Sequence, residues 1–197
     1  MKKYICIMAL FISATFASAV TLKWDAAGVK FDGTSLGNST AVTGYLIYLG
    51  TSSLKSDYDV TKASTVDSII SSIGQKVDEK SKPNGLGKLT GNWTFNYSDG
   101  YSNGANLAVL LVYATSSATY YNLSSSTVVL KDGNDADVET LTPAADPSNV
   151  SASFSFATAG EKNKLSKGGG WTVAVPEPST AMLALAGLAL LIKRRRA

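Results

Sequence analysis

The sequence predicts a mainly-β protein, an antiparallel β-sandwich with one short helix, set between an N-terminal signal peptide and a C-terminal transmembrane helix. Three observations carry this reading. Seven short runs rich in β-branched and aromatic residues are separated by Gly, Ser, Asn and Asp. A single stretch places its apolar residues at helical spacing. Both ends of the chain pair an apolar run with clustered cations, unlike anything between them. The 197 residues divide accordingly into a leader (1–19), one extracytoplasmic domain (20–175) and a tail (175–197).

The leader comes first in the chain. Lys2 and Lys3 precede a mostly apolar run from Tyr4 to Phe16, and Ala17-Ser18-Ala19 puts small residues where a signal peptidase reads. Cleavage is expected after Ala19. A buried N-terminal helix would need a cap and a partner face, and "MKKYICIMALF" supplies neither. The only cysteine, Cys6, lies in this leader with no lipobox before it, so the exported chain is expected to carry no thiol and no disulfide. Its core alone must hold it, which a domain of about 150 residues can manage.

Charge changes meaning once the ends are set aside. The formal +3 includes Lys2, Lys3 and the four cations of the tail, whereas Val20 to Val175 holds twelve lysines, no arginine and fourteen acids, a net −2. Binding a phosphate backbone needs a basic face, usually with Arg forks. No nucleic-acid partner is expected.

Within the domain the predicted strands are Val42–Gly50, Asn92–Tyr97, Asn106–Thr115, Thr119–Leu123, Ser126–Leu130, Ser151–Ala157 and Trp171–Val175. Leu107 to Val112 is apolar on both faces and should be central, whereas Ser151 to Ala157 alternates as a strand with one wet face does. Val66, Ile69, Ile70, Ile73 and Val77 predict a short helix over one opening of the sandwich, with Ser64 and Asp67 as its capping box and Gly74 ending or weakening it. Asp78–Lys88 and Glu161–Gly170 read as loops. The last segment, "WTVAV", is either a closing strand, favoured because a Trp is costly to leave in water, or a stalk that starts at Gly168-Gly169-Gly170.

The tail, "VPEPSTAMLALAGLALLIKRRRA", holds fourteen uncharged residues from Ser179 to Ile192. As a helix they would span about 21 Å, short against a hydrocarbon core of about 30 Å. Lys193, Arg194, Arg195 and Arg196 can snorkel to the headgroups and place the C-terminus on the cytoplasmic side. Pro176 keeps the preceding chain extended, and Pro178 suits an early helix position. A Pro-Glu-Pro motif, a short apolar helix and a terminal basic cluster, paired with a signal peptide, resemble a PEP-CTERM sorting signal. The resemblance implies an exosortase, an integral-membrane transpeptidase-like enzyme of Gram-negative bacteria that make extracellular polysaccharide. It assigns Pro176, Glu177 and Pro178 to recognition, Thr180 to Ile192 to the membrane and Lys193 to Arg196 to the stop. A plain tail anchor is the alternative.

The domain lacks most catalytic chemistry. With no histidine anywhere, Ser-His-Asp activation and the commonest zinc ligand are absent, and no cofactor or enzymatic activity is expected. Paired carboxylates stay formally open, yet Asp57 with Asp59 and Asp132 with Asp135 and Asp137 sit in hydrophilic turns. Asp132, Asn134, Asp135, Asp137 and Glu139 could offer oxygens to Ca²⁺. Their order is wrong for an EF-hand, and a solvated turn is favoured. In "NWTFNY", Trp93, Phe95 and Tyr97 share one strand face; exposed, they would form with Tyr101 a platform for sugar rings, and buried, the reading favoured here, they are core. The expected function is an exported surface or extracellular-matrix protein, membrane-anchored until an exosortase processes it and structural or interactive thereafter. The alternatives are a carbohydrate-binding module or adhesin, which would take extracellular polysaccharide as partner, and, more remotely, a carboxylate hydrolase.

Overall fold

The computed structural model describes residues 20–61, 65–95, 99–102, 104–125, 127–130, 141–143, 149–157 and 164–173. In chain order the elements are β1 (Val20–Ala26), β2 (Lys30–Phe31), β3 (Thr34–Ser35), β4 (Val42–Gly50), β5 (Tyr58–Asp59), α1 (Val66–Ile73), β6 (Gln75–Ser81), β7 (Leu89–Phe95) and β8 (Asn106–Ala114). They continue with β9 (Thr119–Leu123), β10 (Val128–Val129), β11 (Leu141–Pro143), β12 (Asn149–Phe154), β13 (Lys164–Leu165) and β14 (Trp171–Val173). No helix among the described residues is long and apolar enough to cross a membrane. The expected leader 1–19 and the expected membrane segment 179–192 lie outside them.

Two open sheets share the main core. The first runs β11-β12-β1-β7, the second β14-β9-β8-β4-β6 with β10 also on β8. Leu22, Trp24 and Ala26 on β1 alternate inward, and Leu89, Trp93 and Phe95 do the same on β7. They meet Val42, Leu46, Leu107, Val109 and Leu111 of the second sheet. The strands therefore follow the two-residue alternation of a sheet with one buried face. β1 is antiparallel to β7 but parallel to β12, with Thr21 opposite Asn149 and Ala26 opposite Phe154. The expectation of a purely antiparallel fold is corrected there.

The second sheet is covered on both faces, which explains the unbroken apolar run of β8. Leu107, Val109 and Leu111 point to the first sheet, and Ala108, Leu110 and Val112 to a second cluster built with Ile69, Ile70 and Ile73 of α1 and with Tyr58 and Leu165 of the β5–β13 ribbon. The helix thus lies on a sheet face, not over an opening as its sequence suggested: an apolar outer face must be covered somewhere, and α1 is the amphipathic element at hand. Its cap also differs. Thr65 is the N-cap, its Oγ1 accepting from the Ser68 N–H at 3.2 Å, while Ser64 lies outside the described residues. Gly74 ends the helix; its N–H donates to the Ile70 carbonyl at 2.8 Å, and a Cβ there would stand 2.5 Å from the Tyr48 carbonyl oxygen. Val77 belongs to β6.

β6 is the other correction. "QKVDEKS" has loop composition, but it pairs with β4 from Thr43–Ser81 to Tyr48–Gln75, across a bulge at Leu46/Ile47. The backbone of β4 needs a partner on that side, and the charges suit an edge. The loop begins only at Lys82. Within the segment read as a second loop, Lys164 and Leu165 pair with Asp59 and Tyr58.

Candidate functional site

The last strand among the described residues bears on the question left open by "WTVAV" for Trp171 to Val173, while Ala174 and Val175 lie outside them. β14 pairs with β9, Trp171 opposite Asn122 and Val173 opposite Tyr120. Trp171 is 8% exposed, its Nε1 donates to the Lys30 carbonyl at 2.6 Å, and Thr172 Oγ1 donates to the Lys164 carbonyl at 2.8 Å. Trp171 to Val173 is therefore part of the sheet rather than a stalk.

An aromatic group surrounds this strand. Asp32 and Gly33 both take positive φ, 48° and 76°, the two-residue turn that joins tightly twisted strands. The hairpin β2–β3 so formed lays the Phe31 ring against Tyr120 at 4.6 Å, Tyr113 at 5.2 Å and Trp171 at 5.7 Å. Phe31, Tyr113 and Tyr120 are half-buried. The sequence analysis missed this hairpin, whose one local signal is the Asp32-Gly33 dipeptide; the meeting of Tyr113 with Tyr120 follows from the register of β8 on β9. Asn122, on the same inward-facing row, is buried; its Nδ2 donates to the Ala157 carbonyl at 2.8 Å, and its Oδ1 has no hydrogen-bond partner among the described residues.

The aromatic stripe singled out on β7 points inward. Trp93 is 6% and Phe95 2% exposed, their rings stacked at 4.3 Å. Tyr101 closes on Trp93 edge-on at 4.8 Å, and Tyr48 on Tyr101 at 5.1 Å, its hydroxyl accepting from the Ser102 N–H at 3.0 Å. Tyr97 lies outside the described residues. Trp93 and Phe95 thus offer no open platform to a sugar, because the face they share is the one β1 and β7 turn toward the second sheet. The outward residues of that strand are Thr90, Asn92 and Thr94, and Thr94 shares a hydroxyl hydrogen bond with Thr21 at 3.0 Å.

Asp132, Asn134, Asp135, Asp137 and Glu139 lie outside the described residues, as do Pro176, Glu177, Pro178, Lys193, Arg194, Arg195 and Arg196. Among the described residues no group of three or more acidic or thiol side chains is placed to hold a metal. Asp59 closes its own turn, accepting from the Thr61 N–H at 2.9 Å. Two tyrosines are shifted: burial, then the nearby Glu79 and Asp67 carboxylates, raise the Tyr45 phenol above its ordinary value, and burial raises that of Tyr121.

A β domain whose last described strand stands directly before an apolar, basic-ended tail has the build of a protein addressed at its C-terminus. That address is the PEP-CTERM protein-sorting motif, whose family profile matches residues 174–197. The motif implies export, an exosortase as processing partner and membrane anchoring through the C-terminus before processing. No curated protein and no solved structure matches the chain.

Proposed function

We propose that the chain is a non-enzymatic structural or interaction component of the cell envelope or extracellular polysaccharide matrix, delivered as a β-sandwich module by the leader at 1–19 and the sorting tail. In this reading the tail inserts by its apolar segment, the four terminal cations stay with the cytoplasmic headgroups, and Pro176-Glu177-Pro178 is left at the outer surface. An exosortase then acts at that motif and frees the domain from its anchor.

The observation that carries the reading is the junction. β14 ends at Val173 and the matched motif begins at residue 174, so the folded domain and the address abut with no second domain between them. The carbohydrate-binding alternative loses its support with Trp93 and Phe95 inside the core. The test is the intact mass of the exported protein from hosts with and without an exosortase. The mass should lose the segment ending in Arg196 only where the enzyme is present. Retention of Arg196 in both hosts would make the tail a permanent anchor.

A further inference from the structure

The ends of five strands line up in one row. Val173 of β14 sits opposite Tyr120 of β9, Tyr120 opposite Tyr113 of β8, and Tyr113 opposite Val42 of β4. The Val42 carbonyl in turn accepts from the Lys82 N–H at 2.9 Å, where β6 ends. Four strand spacings of about 4.8 Å put some 19 Å between the two ends of the row. At one end the chain leaves for the sorting tail; at the other it enters the 82–88 loop.

That loop presents Leu86, 86% exposed and the one large apolar side chain so exposed among the described residues. It is held out by a tight set of bonds. Asn84 Oδ1 accepts from the N–H groups of Leu86 at 3.0 Å and Lys88 at 2.9 Å, and the Gly87 N–H donates to the Asn84 carbonyl at 2.8 Å. The loop is tied to the neighbouring 28–38 segment by Val29 N–H to the Gly87 carbonyl at 2.8 Å and Asn38 N–H to the Pro83 carbonyl at 2.9 Å. Lys30 and Lys82 are exposed at this end, Asp32 is its exposed acid, and Lys88 is paired with Asp25 at 3.1 Å. The tail leaves little slack, because the five residues between Val173 and Ser179 span at most about 20 Å even when extended.

We infer that this end of the domain stands on the lipid bilayer while the tail is anchored, with Leu86 entering the headgroup boundary at one corner and the tail at the other. The inference rests on the anchoring reading above. A single leucine flanked by lysines binds a membrane weakly on its own, but the tether makes the contact intramolecular, so a weak contact is populated. Strands then run roughly along the membrane normal, and the Gly50 end of the sheet faces outward.

The test uses the exported chain with its tail kept on, purified from a host lacking an exosortase and placed in vesicles of phosphatidylethanolamine and phosphatidylglycerol. Single cysteines, Leu86→Cys in the loop, Ser52→Cys at the opposite end and Leu185→Cys in the tail, carry a fluorophore quenched by nitroxide-bearing lipid. Labels at 86 and 185 should be quenched several-fold more than the label at 52. Quenching at 185 with 86 no different from 52 would overturn the inference and leave anchoring intact, and no quenching at 185 would overturn both.

Discussion

The two edges of the second sheet are protected by opposite means. β6 has seven residues, carries Lys76, Asp78, Glu79 and Lys80, and meets β4 across a bulge; charge and irregularity keep it from pairing with another chain. β14 has three residues and no charge, and relies on docking: the Trp171 ring against Phe31 and Tyr113, its Nε1 on Lys30, Thr172 on Lys164. An edge built from polar residues contributes order without much burial, whereas a short apolar edge holds only while its anchor does. The edge that carries the tail is the one whose loss would cost most.

The first way to break this contrast is to remove the anchor. Trp171→Ala should destabilise by about 3–5 kcal/mol, roughly 10 °C in melting temperature for a chain of this size. A chain ending at Gly170 should melt lower still and aggregate through the uncovered edge of β9, while one ending at Val175 keeps its stability. Equal melting of the two chains would mean that β14 adds nothing to the fold.

On the polar edge the expected effect is smaller and lies in one bond. Asp78 Oδ2 accepts from the buried Trp24 Nε1 at 2.7 Å, tying β6 to the first sheet, and Gly91 leaves the room for it, since a Cβ there would overlap both groups. Asp78→Ala strands an indole N–H and should cost about 1–3 kcal/mol. Asp78→Asn keeps an acceptor and should recover most of that, as denaturant unfolding would show. If both variants lose equally, the bond is not the source of the effect.

The smallest difference concerns pH. The Tyr45 phenol faces Glu79 across β4 and β6 and is raised above its ordinary 10.0 in the folded state. A raised folded pKa means that its contribution is complete below about pH 10 and falls away as pH rises through the folded value. Tyr45→Phe should therefore make the alkaline loss of stability shallower, and adding Tyr121→Phe shallower again. An unchanged alkaline melting profile in the double variant would sink this assignment.

What could be read from the sequence follows these same lines. β4 and β9 have the boundaries their β-branched and aromatic residues announce, and the two-faced apolar run of β8 does lie at the centre of its sheet. β6 was unreadable because its composition answers to solvent while its pairing answers to β4. The helical period of Ile69, Ile70 and Ile73 gave an amphipathic helix but not its seat, which depends on the outward residues of β8. At the site, the tail was legible because its order of proline, apolar run and cations is local. The group of Phe31, Tyr113, Tyr120 and Trp171 was not, since no local pattern joins residues so far apart.

The parallel pairing of β1 with β12 also sets a clock. Ser153 Oγ donates to Asp25 Oδ2 across 128 residues of chain, and β1 sits between β12 and β7 in the first sheet. Loops of that length must close before the contacts they bring can reward them, and topologies dominated by such pairings fold in milliseconds to seconds. β1 can pair with β7 once residue 95 has been made, but its other edge waits for β12. A chain delivered from its N-terminus therefore leaves the first sheet incomplete on one side of β1 until residues 149–154 have followed.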